Sequence, residues 1–212
     1  IIVHESGHEW FANNITSKDI ADMWIHEGFT SYAENLFLDY YHGKEAAAAY
    51  VIGTRKRIQN DRPLIGDYNV NNEGSSDIYY KGANMIHMLR QLTKDDEKWR
   101  QILRKMNSKF YHQTVTTQQI ENFLSREIGR DLNPFFNQYL RDTRIPVLEY
   151  KITEGKLNYR WNNVVSGFDM PVEIVGKQRT FWIYPRESWN SIAFVDSEIK
   201  VDINYYVKIK KL

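Results

Sequence analysis

Three side chains with lone pairs to offer restrict how the start of this chain can fold. "VHESGHEWF" (Val3 to Phe11) carries His4, Glu5 and His8 as H-E-x-x-H, and Glu27 follows in "WIHEGFTSYAE" with eighteen residues between it and His8. Residues four apart on a helix are about 40° apart around the axis and one turn along it, so both imidazoles can reach one ion. Glu5 lies on the flank of the same face, where a carboxylate can act as a base without becoming a ligand. A tetrahedral catalytic centre then needs one more protein ligand. Glu27 can supply it from a following helix that begins near Asp19 or Asp22, after a turn rich in Asn13, Asn14, Thr16 and Ser17. For a bare motif the plainer alternative is two helix-surface histidines and an ordinary charged Glu27. Gly28 weighs against it, since Gly in a helix costs about 1 kcal/mol relative to Ala and makes sense where backbone comes close to a neighbour or a substrate.

Composition narrows the classes. With 42% hydrophobic and 26% charged residues and a net charge of +1, the chain can build one or two cores and presents no broad basic surface, so nucleic acid is not an expected partner. The terminal "KIKKL" is expected to be a solvated strand edge. There is no cysteine, so any transition metal must be held by His and carboxylate. The longest apolar run, "AAAAYVI" at Ala46 to Ile52, is far short of the roughly 20 residues that span a bilayer, and no transmembrane segment is expected. The chain opens three residues before His4 without an initiator methionine, and it is read as an excised piece. Composition leaves the compartment undetermined.

The apolar period changes once. Up to about Arg144 it is helical, as in Met85, Ile86, Met88, Leu89 and Leu92, then Trp99, Ile102, Leu103 and Met106. Gly43 is placed as a C-cap, Thr116 or Thr117 as the cap of "QQIENFLSREI", and Asn133 as an N-cap before Pro134. The polar segment Arg62 to Asp77 reads as a long loop of the kind that is often functional. Beyond it lie "LEYKI", "LNYRW", "PVEIV", "TFWIY", "SIAFV" and "YYVKI", short runs rich in β-branched and aromatic residues, with hairpin-like "TEGK" and "EIVGKQ" between them. The expected fold is α+β: a helical domain over 1–145 and a small antiparallel β-sandwich over 146–212, the boundary near Pro146.

These motifs together resemble the gluzincin zinc aminopeptidases of the aminopeptidase N type. The resemblance rests on "HESGHEWFAN", on "WIHEGFTSYAE" at the eighteen-residue interval, on "YYKGA" and on "PFFNQYLRDTRIPVLEY", and it covers essentially the whole chain. It implies a thermolysin-like catalytic subdomain with one zinc ion per chain, held by His4, His8 and Glu27, with Glu5 as general base and Tyr79 of Y-x-K-G steadying the oxyanion. It also implies a peptide substrate cleaved at its amino terminus. One position departs: His26 stands where the family carries Asn, and because it points about 100° away from Glu27 it reads as structural.

Glu34, seven residues after Glu27, returns to nearly the same helical face and can orient a ligand imidazole or lie in an exposed ion pair. His42, His87 and His112 are isolated, and Trp10, Phe11 and Tyr80 are expected to pack. The family's Gly-x-Met-Glu-Asn segment, which holds the substrate amino group, does not occur here. That implies missing upstream domains and weak or no activity for the piece alone. A zinc endopeptidase or other zinc hydrolase, and a non-catalytic scaffold that keeps the fold, remain as alternatives.

Overall fold

The structure is a computed structural model that describes residues 1–176 and 179–212. It contains two compact units, Ile1–Thr143 and Arg144–Leu212. Among the described residues no helix is long and apolar enough to cross a membrane.

The first unit is helical. α1 (Ile2–Gly7) ends at His8, which still has helical φ/ψ of −63° and −16°. At Phe11 the backbone leaves that region (φ −121°, ψ 65°). Phe11 thereby turns inward against Phe29, with ring centroids 5.0 Å apart, while Trp10 stays 55% exposed. The expectation that Trp10 packs is therefore wrong: the change of direction that buries Phe11 leaves its neighbour outside.

Strand β1 (Ile15–Ser17) follows, then a 3-10 turn (Ile20–Asp22) capped by Asp19, whose Oδ1 accepts the Ala21 N–H at 2.9 Å. α2 (Trp24–His42) starts two residues later. Its first turns are buried nearly all round, through Trp24, Ile25, Phe29 and Tyr32 and also Thr30, Ser31 and Asn35, which makes it the central helix of the unit. Gly43 ends it with φ +86°. α3 (Lys44–Gly53), α4 (Tyr80–Thr93) and α5 (Asp96–Lys109) follow, with Met85, Ile86, Met88, Leu89, Trp99, Ile102 and Met106 in the core.

β2 (Gln113–Val115) pairs parallel with β1, Thr16 opposite Thr114. α6 (Thr117–Ile128) has a reciprocal cap between Thr116 and Gln119. α7 (Asn133–Leu140) begins one residue earlier than expected: Leu132, not Asn133, occupies the cap position, because Asp131 Oδ1 already accepts the Asn133 N–H at 2.9 Å.

The long segment between α3 and α4 is pinned rather than loose. Leu64 N–H donates to Leu140 O (2.9 Å), Gly66 N–H to Ala21 O (3.2 Å), Asn69 N–H to Asp19 Oδ2 (2.9 Å) and the Tyr68 hydroxyl to Asp22 Oδ1 (2.8 Å). The same Asp22 oxygen accepts from Thr117 at 2.5 Å, and Thr117 accepts the Trp24 indole N–H at 2.8 Å. This network fixes the start of α2 just ahead of Glu27.

The second unit holds two sheets. β3 (Val147–Thr153) and β4 (Lys156–Asn162) form a hairpin turned by Glu154 and Gly155, both at positive φ (52° and 70°), as a primed two-residue turn requires. β5 (Val172–Val175), β6 (Thr180–Ile183), β7 (Asn190–Ala193), β8 (Lys200–Val201) and β9 (Lys208–Lys211) complete sheets of order β7-β4-β3-β9 and β6-β5-β8. The turn expected in "EIVGKQ" reaches Lys177 and Gln178, which lie outside the described residues. The run "LNYRW" forms β4 as expected, and its alternate residues Leu157, Tyr159 and Trp161 are buried.

The last strand differs from expectation in position and direction. Tyr205 is drawn into the core at a turn, so the strand starts only at Lys208, and it runs parallel to β3 with Val147 opposite Lys208. A wholly antiparallel unit is therefore not what forms. β9 is an edge strand, and its lysines are exposed.

Candidate metal centre

α1 and α2 pack against each other, and this brings together His4, His8 and Glu27, whose ligand atoms all lie within 4.8 Å of one another. Glu27 Oε2 is 3.2 Å from His4 Nε2 and 3.7 Å from His8 Nε2. The close approach of α1 depends on Gly7, where an added Cβ would stand 3.0 Å from Thr30 Cγ2.

The other nitrogen of each ring fixes what the inward one can be. His8 Nδ1 is 3.2 Å from the Phe11 carbonyl oxygen, which can only accept, so Nδ1 carries a proton and Nε2 of the neutral ring presents a lone pair. Thr30 Oγ1 also lies 3.2 Å from that Nδ1. His4 Nδ1 faces Glu34 Oε1 at 3.1 Å, an acceptor suited to the tautomer that carries its proton on Nδ1 and turns the Nε2 lone pair toward Glu27. Two imidazole lone pairs and a carboxylate oxygen converging on one point repel one another unless a cation lies between them. Two nitrogens and one oxygen, with a place left open, are the donor set that suits zinc.

The further residues expected at the site fall as follows. Glu34 sits behind His4, and its second oxygen accepts from the Tyr50 hydroxyl. Tyr79 is 37% exposed and stacks on His4 at 6.0 Å between ring centroids. Burial foremost, then the charge of Glu27, raises its phenol above the usual range, so it keeps its proton at neutral pH. Glu5 is exposed and close enough to add to that effect. Lys81 is buried, donates from Nζ to Asp142 O at 3.0 Å, and is pulled down to about 8 by burial.

His26 points away from the cluster, as its helical position requires. Its Nε2 accepts the Ser17 N–H at 2.7 Å, and burial, followed by the nearness of His8, lowers it to about 4, so it stays neutral. His42, His87 and His112 do not join the cluster; among the described residues the only such group is His4, His8 and Glu27. Sequence reasoning missed Gly7, Thr30 and Tyr50. Thr30 was within reach, three residues after Glu27 on the face that Glu34 shares. Tyr50 comes from another helix, and no local spacing announces it.

This helical unit with two histidines and a glutamate at one point has counterparts. The model of the peptidase family M1 domain matches residues 1–139, and the chain belongs to that family. An aminopeptidase N of Lactococcus lactis subsp. lactis is 22% identical over 222 residues, covering 99% of this chain and 25% of its own length. A puromycin-sensitive aminopeptidase of Caenorhabditis elegans is 24% identical over 70% of this chain and 17% of its own. A leukotriene A-4 hydrolase of Xenopus laevis is 27% identical over 58% of this chain and 22% of its own. The chain thus spans at most a quarter of the length of these curated relatives.

Proposed function

We propose that this chain carries the catalytic centre of a zinc metallopeptidase, and that the whole protein is an aminopeptidase releasing amino-terminal residues from peptides. Residues 1–145 are assigned as the catalytic subdomain and 146–212 as a separate β domain. The observation that carries the reading is the convergence of His4 Nε2, His8 Nε2 and Glu27 Oε2, with each imidazole held from behind by an acceptor. Zinc bound there would supply a Lewis acid for the scissile carbonyl and would make water a stronger nucleophile at neutral pH.

The chain's own groups do the rest. Glu5, on the open side of α1, takes the proton of the attacking water and passes it to the leaving amine. Tyr79 keeps its proton and donates a hydrogen bond to the oxyanion. Glu34 and the Phe11 carbonyl hold the two imidazoles in the tautomer that ligation needs. Relatives named as aminopeptidases support peptide hydrolysis at the amino terminus.

The test is elemental analysis with kinetics on the chain at its full natural length. One zinc per chain is expected, sharply reduced in His4→Ala and His8→Ala. Glu5→Gln is expected to keep the metal and lose about 10² to 10⁴ in rate on an aminoacyl anilide. Unchanged zinc in both histidine variants, or an active Glu5→Gln, would sink the reading.

A further inference from the structure

A cleft of about 490 Å³ opens beside the candidate centre, with His4 and Tyr79 in its wall along with Tyr50, Tyr80, Lys56 and Arg57. Lys56 and Arg57 come from a 3-10 turn, Thr54–Arg57, that follows α3. The one carboxylate in the lining, Glu34, is engaged on both oxygens, by His4 and by Tyr50. Among the described residues no carboxylate pairs with Lys56 or Arg57. Arg57 is held instead by Tyr80: Nη1 donates to the phenol oxygen at 2.7 Å, and the guanidinium carbon lies 5.3 Å from the ring centroid. One N–H is used in this way, and the remaining donors of the fork are left for a ligand.

Two cations without counter-charge therefore line a cleft that begins at the reacting groups. Such a wall repels the ammonium of a peptide's amino terminus, so the cleft suits the other side of the scissile bond. Resting on the metallopeptidase reading, we propose that this cleft receives the leaving part of the substrate and that Arg57, assisted by Lys56, binds a carboxylate on it. That carboxylate is either the acidic side chain of the first residue released or the free α-carboxylate of a very short peptide. A guanidinium fork fits a carboxylate with two parallel hydrogen bonds, and the pairing is charge-assisted.

The experiment uses the zinc-loaded chain at full natural length carrying Glu5→Gln, so that peptides bind without turnover, with affinities read by calorimetry. Leucyl-glutamine α-amide has no carboxylate, leucyl-glutamate α-amide has one on the side chain, and leucyl-glutamine free acid has one at the terminus. At least one of the two acids is expected to bind about tenfold tighter than the amide reference, and which one identifies the source of the carboxylate. Adding Arg57→Gln should erase the difference, Lys56→Gln should reduce it, and raised salt should narrow it. Equal affinities for all three peptides, or a preference that survives Arg57→Gln, would overturn the proposal. So would the same dependence on Arg57 in glutamyl-glutamine α-amide, which carries its carboxylate before the bond. Failure of the underlying reading shows separately, as zinc-loaded chain with Glu5 intact that does not hydrolyse leucyl anilide.

Discussion

Gly28 and Gly82 meet backbone to backbone where α2 crosses α4. A Cβ on Gly82 would stand 3.0 Å from Gly28 Cα, and one on Gly28 would stand 3.3 Å from the Ile78 carbonyl oxygen. Gly28 follows Glu27 directly and Gly82 lies three residues after Tyr79, so this contact sets how near the phenol comes to the carboxylate.

Gly82→Ala should force the two helices apart, because the obstructing atoms are backbone and cannot swing aside. Overpacking of this kind costs about 1 to 3 kcal/mol. A lower thermal midpoint is expected, with kcat falling more than KM changes as Tyr79 is displaced. A variant with the parent's melting temperature and kcat would show that the crossing has slack.

Glu34→Gln keeps the shape behind His4 but removes the charge that fixes its tautomer. Loss of such a partner typically costs about 10- to 100-fold in metal affinity. Competition with a chelator measures it, and Tyr50→Phe should shift the curve the same way by less. Chelator curves that overlay the parent's would place Glu34 outside the metal's influence.

His26→Leu should destabilise the fold by about 1 to 3 kcal/mol, since the Ser17 N–H loses its acceptor at the half-buried end of β1. His26→Asn retains an acceptor there and should cost less. Urea unfolding of the two variants gives the comparison, and an equal loss in both would mean that ring packing, not the hydrogen bond, is what His26 provides.

In the β unit, Glu149 is buried and accepts from Asn162 (3.0 Å), Arg160 (2.7 and 2.9 Å) and Lys210 (3.2 Å). The Asn162 bond first, then Arg160, lowers its carboxyl to about 2 from an ordinary 4.5. A folded value below the unfolded one means that the stabilisation is complete above about 4.5 and is lost as pH falls through 2. Glu149→Gln should therefore lower stability at pH 7 by about 1 to 3 kcal/mol and flatten the acid limb of the unfolding curve. An acid limb as steep as the parent's would assign that limb to other carboxylates.

What could be read from the chain alone was whatever repeats locally. The 3.6-residue period of Met85 to Leu92 and of Trp99 to Met106 marks α4 and α5, and the short aromatic run "LNYRW" marks β4. The convergence of His4, His8 and Glu27 was legible because its spacing is itself a geometric statement. Features set by distant partners were not. Trp10 is left exposed by a change of backbone direction one residue later, and Tyr205 leaves an apparent strand to fill the core. Asp131 pre-empts the cap assigned to Asn133. Thr30, Ser31 and Asn35 are buried because α2 is surrounded, and no polar residue announces that from its own position.

Glu27, Thr30 and Glu34 lie along one stripe of α2, and they serve the cluster, His8 and His4 in turn. A single rod thus carries Glu27, the carboxylate behind His4 and a hydroxyl beside His8 Nδ1, so the three cannot drift independently. One residue inserted between Gly28 and Ala33 would rotate the far end of the stripe by about 100° and uncouple Glu34 from His4 while leaving the apolar content of the helix untouched. Among descendants of this chain the interval from Glu27 to Glu34 should therefore behave as an indel-free register.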